Sequence, residues 1–131
     1  MDSAGVETWF GEYLEVFAAC GRGESDTSTL LAYYGIPVIF STDEAVFYLT
    51  SEEQVVAAVQ QQVDGLRATN YDHTEILSSD VTVLNASSAL FRGEFSRQQH
   101  GGEEMDRLTV TYLITTGPSG QRMSAIAIHG A

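Results

Sequence analysis

The 131-residue chain has no lysine, one cysteine and two prolines. Six arginines stand against 18 aspartates and glutamates, for a formal charge of −12. A charge of that sign excludes electrostatic binding to nucleic acid or to an anionic membrane surface, because both need fields of Lys and Arg. A single cysteine closes no internal disulfide and builds no Cys-based metal site. No apolar run approaches the ~20 residues that span a bilayer. The opening Met-Asp-Ser-Ala-Gly-Val-Glu is acidic where a secretory signal is basic and then apolar. No linker, repeat or low-complexity tract breaks the chain. What is present is core material: 44 % of residues are hydrophobic, with six Phe, six Tyr and one Trp. That content excludes disorder. The expectation is a single acidic domain over residues 1–131, soluble and cytoplasmic, with no nucleic-acid or membrane partner.

Hydrophobic spacing divides the chain into two halves. Val6, Trp9, Phe10, Tyr13, Leu14, Val16, Phe17 and Cys20 recur at steps of three and four, so they predict an amphipathic helix that Gly21-Arg22-Gly23 ends. Ser25 or Asp26 caps a short second helix carrying Leu30, Leu31, Tyr33 and Tyr34, stopped by Gly35 and Pro37. Val38-Ile39-Phe40 and Val46-Phe47-Tyr48-Leu49 predict a hairpin. Thr50-Ser51-Glu52-Glu53 reads as a capping box, with Thr50 accepting from the Glu53 amide. It precedes a third helix with Val55, Val56, Val59, Val63 and Leu66 on one face. From Tyr71 onward the period falls to two. Four strands follow, at about 73–85, 88–97, 106–116 and 121–129, joined by Asn85-Ala86-Ser87, a Gly101-Gly102 loop and Gly117-Pro118-Ser119-Gly120. Helices followed by a run of strands indicate an α+β fold.

That element order resembles the nuclear transport factor 2-like cone fold, whose members include ketosteroid isomerases, scytalone dehydratase and polyketide-cyclase-like proteins. The resemblance is carried by Trp9–Cys20, by Leu31-Ala32-Tyr33-Tyr34-Gly35-Ile36-Pro37, by Val63-Asp64-Gly65-Leu66-Arg67 and by Ser124-Ala125-Ile126-Ala127-Ile128-His129. The Tyr-Tyr-Gly-Ile-Pro and Val-Asp-Gly-Leu-Arg pieces are similar to an actinobacterial-type branch of that superfamily. The resemblance implies three helices packed on a strongly curved, mostly antiparallel sheet, with the 51–68 helix docked in the concavity. It also implies an apolar cavity at the wide end and pairing of two chains through the outer sheet face.

Strand parity selects the polar residues of such a cavity. Leu108, Val110, Tyr112 and Ile114 alternate with polar neighbours and face inward, which puts Asp106 on the inward set at the strand's end. Beside apolar walls its carboxyl would be held neutral as a hydrogen-bond donor; in water it would only cap the preceding turn. Tyr13, on the buried stripe of the first helix, needs a partner for its hydroxyl. The resemblance to ketosteroid isomerases places Tyr13 and Asp106 at that enzyme's oxyanion-hole tyrosine and acid, a pairing long used to illustrate a protonated Asp donor. The same resemblance puts the general base on the strand after the second helix, where this chain reads Val38-Ile39-Phe40. Asp43 and Glu44 lie nearby, but in the turn. Without a base, proton abstraction beside a carbonyl loses a factor of roughly 10²–10⁴.

His129 shares alternation with Met123, Ala125 and Ala127, so it either looks into the cavity or lies at the frayed terminus. His73 and His100 are too scattered for a metal site and read as surface residues. Cys20 is a buried structural thiol at a helix C-terminus, a poor setting for a reactive thiolate. Gln60-Gln61-Gln62 reads as the solvated back of the third helix. The candidate ligand-binding set is thus Tyr13, Tyr48, Phe91, Phe95, Asp106, Tyr112 and His129, with no metal and no cofactor. Three functions remain open: a small-molecule-binding protein holding a small apolar ligand without a complete catalytic set, an isomerase, dehydratase or cyclase acting on a small carbonyl compound, or a dimerisation or protein-interaction module whose rings fill its own cavity.

Overall fold

The computed structural model describes residues 1–130. Helix α1 runs Ser3–Gly21 and is capped by Asp2, whose carboxylate accepts from the Gly5 amide at 2.7 Å. The cap satisfies one of the donors that a first helical turn leaves free. The second helix is a short 3-10 segment of two turns, Thr27–Ala32, capped by Asp26. It is shorter than its apolar spacing suggested, and Tyr34 already belongs to strand β1, Tyr34–Ser41. Gly35 and Pro37, expected to stop a helix, lie inside that strand. The reason is close approach to the neighbouring strand, since a Cβ on Gly35 would stand 2.8 Å from the Met123 carbonyl oxygen. Pro37 falls where the ladder shifts between Tyr34 and Ile39, so its missing N–H breaks no regular pairing.

Strand β2, Val46–Leu49, pairs antiparallel with β1. Helix α2 follows, Glu52–Arg67. Its cap sits one residue later than the sequence suggested. Ser51 accepts from the Gln54 amide at 3.2 Å, and the Gln54 side-chain oxygen accepts from the Thr50 amide at 2.7 Å, so Gln54 rather than Glu53 closes the box. The remaining strands are β3 Tyr71–Asn85, β4 Ser88–Gln99, β5 Glu104–Gly117 and β6 Gly120–Ile128.

One six-stranded sheet results, in the order β2-β1-β6-β5-β4-β3. Only β1 and β6 run parallel. The sheet is curled and unclosed, and the helices cover its concave face, the α+β cone architecture. The helix seated against the sheet is α1, chiefly along β3, whereas α2 packs on α1, the 3-10 segment and β1. This reverses the sequence-based placement of α2 in the concavity. Aromatic contacts account for it: the Phe10 ring of α1 stacks on Phe91 at 4.0 Å and meets Tyr112 edge-on at 4.8 Å. Such pairs add about 0.5–1.5 kcal/mol beyond their buried area. Gly93 makes room for this cluster, because a Cβ there would lie 2.3 Å from the Phe95 ring. Among the described residues no helix is long and apolar enough to cross a membrane.

Candidate functional site

Register decides which side chains enter the concavity. Opposite one another across β4 and β5 stand Phe91 and Tyr112, Phe95 and Leu108, and Arg97 and Asp106. One alternation therefore places all six on the inner face. Between β5 and β6 the register runs Val110–Ile128 and Tyr112–Ile126, then Ile114–Met123, which leaves Ser124 as an extra residue. This bulge flips the parity of β6. Met123, Ile126 and Ile128 thus all point inward, while Ala125 and Ala127 point out.

Beneath α2 the sheet leaves a cavity of about 420 Å³. Sheet residues Phe40, Phe95, Leu108, Val110, Ile126 and Ile128 form its apolar floor, and Tyr13, Leu14 and Phe17 of α1 form a side wall. Gln61, Gln62 and Leu66 of α2 form the roof. The volume lies within the range of about 300–1,000 Å³ usual for small-molecule sites.

Three tyrosines supply the inner polar atoms. The Tyr13 and Tyr34 hydroxyls, both buried, are 2.6 Å apart in a single hydrogen bond. Burial is the main cause that raises both phenols, Tyr34 to about 12 and Tyr13 well above its ordinary 10.0. Tyr112 is 7 % exposed and lines the same cavity. Burial, then the proximity of Tyr34, pushes its phenol far above 10.0, and among the described residues its hydroxyl has no hydrogen-bond partner. Three hydroxyls thus share one hydrogen bond. Whichever of Tyr13 and Tyr34 donates, two O–H protons remain without a protein acceptor.

The wide end carries the only charged groups of the lining among the described residues, Arg97 and Asp106. Arg97 Nε donates to Asp106 Oδ1 at 2.7 Å and its terminal nitrogen to Oδ2, a fork that raises the guanidinium pKa still further. Asp106 keeps the inner-face parity but sits at the rim with its side chain 42 % exposed, so the apolar walls expected around it are absent, and its oxygens accept from Arg97 and not from Tyr13. Tyr13 and Asp106 line one cavity with separate partners.

The other candidates separate. Phe95 and Tyr112 line the cavity. Phe91 lies beneath the floor, sealed under the Phe10 ring. Tyr48 stands 68 % exposed on the short edge strand, turned opposite to Phe47 and outside the lining. The Ser124 bulge turns His129 away from Ile128 to the outer face, where Nε2 lies 2.7 Å from Thr111 Oγ1. Cys20 is buried, with Sγ 3.5 Å from both the Asp26 carbonyl and Thr29 Oγ1. The Asp72 carboxylate bridges His73 Nδ1 at 2.6 Å and His100 Nδ1 at 3.0 Å, and with Glu75 it raises the His73 pKa above 6.5.

Lining residues missed in the sequence include Tyr34, Phe40, Gln61, Gln62 and Arg97. Gln62 carried a readable signal: it continues the stripe Val55, Val59, Leu66 at helical steps, and its polarity masked that phase. Arg97 follows Phe91, Gly93 and Phe95 at period two.

A sequence profile described as NTF2-like protein (DUF6841) matches residues 2–131, and the chain belongs to that NTF2-like family. A protein of unknown function with a cystatin-like fold from Nostoc punctiforme superposes with a TM-score of 0.73 at 11 % identity, over 96 % of this chain and 91 % of the other. A putative calcium/calmodulin dependent protein kinase II association domain from Xanthomonas campestris gives 0.72 at 13 % identity, over 100 % and 89 %. An NTF2-like protein with a cystatin-like fold from Novosphingobium aromaticivorans gives 0.68 at 14 % identity, over 94 % and 77 %. At these identities the likeness is one of fold. A search of the curated proteins finds no match.

Proposed function

We propose that this member of the NTF2-like family binds a small apolar molecule in the cone cavity and holds it by a hydrogen-bond acceptor, without catalysing its conversion. The observation that carries the proposal is the Tyr112 hydroxyl, which opens onto an apolar cavity and has no protein partner among the described residues. A carbonyl or ether oxygen of a bound molecule can accept from it, a hydrogen bond worth about 0.5–1.5 kcal/mol net. With its phenol pushed so far up, Tyr112 stays a donor across the physiological range. Binding without turnover is supported by the lining. Among the described residues its one carboxylate is forked to Arg97, and the inward residues of β1, Val38 and Phe40, carry nothing that takes a proton. Asp43 and Glu44 sit exposed in the β1–β2 turn.

Titration calorimetry with the compact aryl ketone 2-acetylnaphthalene tests this. Saturable binding is expected, weakened by about 0.5–1.5 kcal/mol in Tyr112→Phe, with a similar loss for 2-ethylnaphthalene on the unaltered protein. Absence of saturable binding, or equal affinity in Tyr112→Phe, would refute the proposal. We also propose that two copies pair through the outer sheet face. The support is a band of apolar side chains on that face, in which Ile39, Val46 and Tyr48 are exposed beside Ala125, Ala127 and Leu113.

A further inference from the structure

A second hollow of about 240 Å³ adjoins the first. The two share the side chains of Tyr34, Phe40, Gln61, Gln62 and Ile126 as a common wall. Val55, Ala58 and Val59 of α2 roof the second hollow, whereas Gly65 and Leu66 roof the first. The two lobes therefore lie end to end beneath one helix. From Val55 to Leu66, at about 1.5 Å per residue, the trough runs about 16 Å.

The lobes differ in chemistry. The first holds the donor protons of the tyrosine cluster and, at its far end, the Arg97–Asp106 fork. Beyond the shared wall the second offers only Val38, Phe47, Leu49, Val55, Ala58 and Val59. Phe47 belongs to the inner face through its pairing with Phe40, yet it is 52 % exposed at the mouth of this lobe. The amides dividing the lobes, Gln61 and Gln62, are exposed side chains with no hydrogen-bond partner among the described residues, so moving them aside breaks no bond.

We infer that the ligand is elongated: a neutral carbonyl-type head accepts from Tyr112 in the first lobe, and an unbranched apolar tail passes between Phe40 and the two glutamines into the second. The inference rests on the binding function proposed above and specifies its ligand class. A tail directed to the far end of the first lobe would meet a hydrated ion pair. A tail in the second meets only hydrocarbon and covers Phe47.

The test uses three methyl ketones, 2-heptanone, 2-nonanone and 2-undecanone, with binding measured calorimetrically to the full chain. The expected result is an affinity that rises about fourfold per added methylene, equivalent to about 0.8 kcal/mol. Ala58→Phe places a ring in the second lobe, and Leu49→Phe does so from β2. Each is expected to bring 2-undecanone down to the affinity of 2-heptanone and to leave 2-heptanone unchanged. Circular dichroism identifies any variant that has lost the fold, and the other variant then decides. If 2-undecanone gains over 2-heptanone equally in both variants, or gains nothing in the unaltered protein, the two-lobed ligand is wrong while binding in the first lobe stands. If no ketone binds and 2-acetylnaphthalene also fails, the binding function itself falls.

Discussion

The Tyr13–Tyr34 pair gives the sharpest stability prediction. Tyr13→Phe removes one hydroxyl and leaves the other buried without its 2.6 Å partner, and Tyr34→Phe does the reverse. A buried hydroxyl deprived of its partner costs about 1–3 kcal/mol. Both tyrosines line the cavity, so a water there can take up the orphan. Each single variant is therefore expected near the lower end, at about 1–2 kcal/mol. The double variant removes donor and acceptor together and is expected to cost no more than either single one, which gives a coupling of about 1 kcal/mol or more. Urea unfolding of the four proteins at pH 7 measures this directly. Additive losses would refute the pairing.

The same pair sets an alkaline limit. Tyr34 is held protonated to about 12 against an ordinary 10.0, a difference worth about 3 kcal/mol. Above pH 10 the unfolded phenol releases its proton while the folded one keeps it, so the unfolded state binds fewer protons and stability falls with rising pH. The contribution is complete below pH 10 and is lost between pH 10 and about 12. Over that range the double variant is expected to unfold with a flatter pH dependence than the unaltered protein. An equal slope would show that these phenols do not carry the effect.

Two further outcomes are expected. Gly93→Ala puts a methyl group 2.3 Å from the buried Phe95 ring, and overpacking of this kind costs about 1–3 kcal/mol; a Tm unchanged within a degree would contradict the packing described. Light scattering behind size exclusion at micromolar concentration is expected to give about twice 14.2 kDa, and Tyr48→Asp on the outer band to shift the mass toward the monomer. A strictly monomeric unaltered protein would rule out the pairing.

Local rules were enough for the elements themselves. The α1 stripe, the valine stripe of α2 and the period-two tail each lie within one segment, where side-chain direction follows from spacing alone. The inward face of β5 was legible for that reason, and with it the places of Val110 and Tyr112; Asp106, at the strand's end, shares the parity but lies exposed at the rim. The α+β cone and the NTF2-like kinship followed from element order. Where local signals competed, the reading slipped by a residue or two. Ser51 and Thr50 are both good caps, and Gly35 and Pro37 end helices as readily as they sit in an irregular strand.

The site depended on pairings between segments far apart in the chain. The parity of Asp106 was readable, but only the β4–β5 register sets Arg97 across from it and turns a candidate neutral donor into an ion pair. Tyr13 plainly needed a partner, yet Tyr34, 21 residues away, becomes that partner only when the chain enters β1 at once after the 3-10 segment. The one-residue bulge at Ser124 sends His129 to the outer face, and no pattern within β6 announces it. Helix phase, strand parity and capping are properties of a few neighbouring residues. A hydrogen-bond partner, a register or a cavity depends on where two distant segments come to rest, and only the packing of α1 and α2 against the curled sheet decides that.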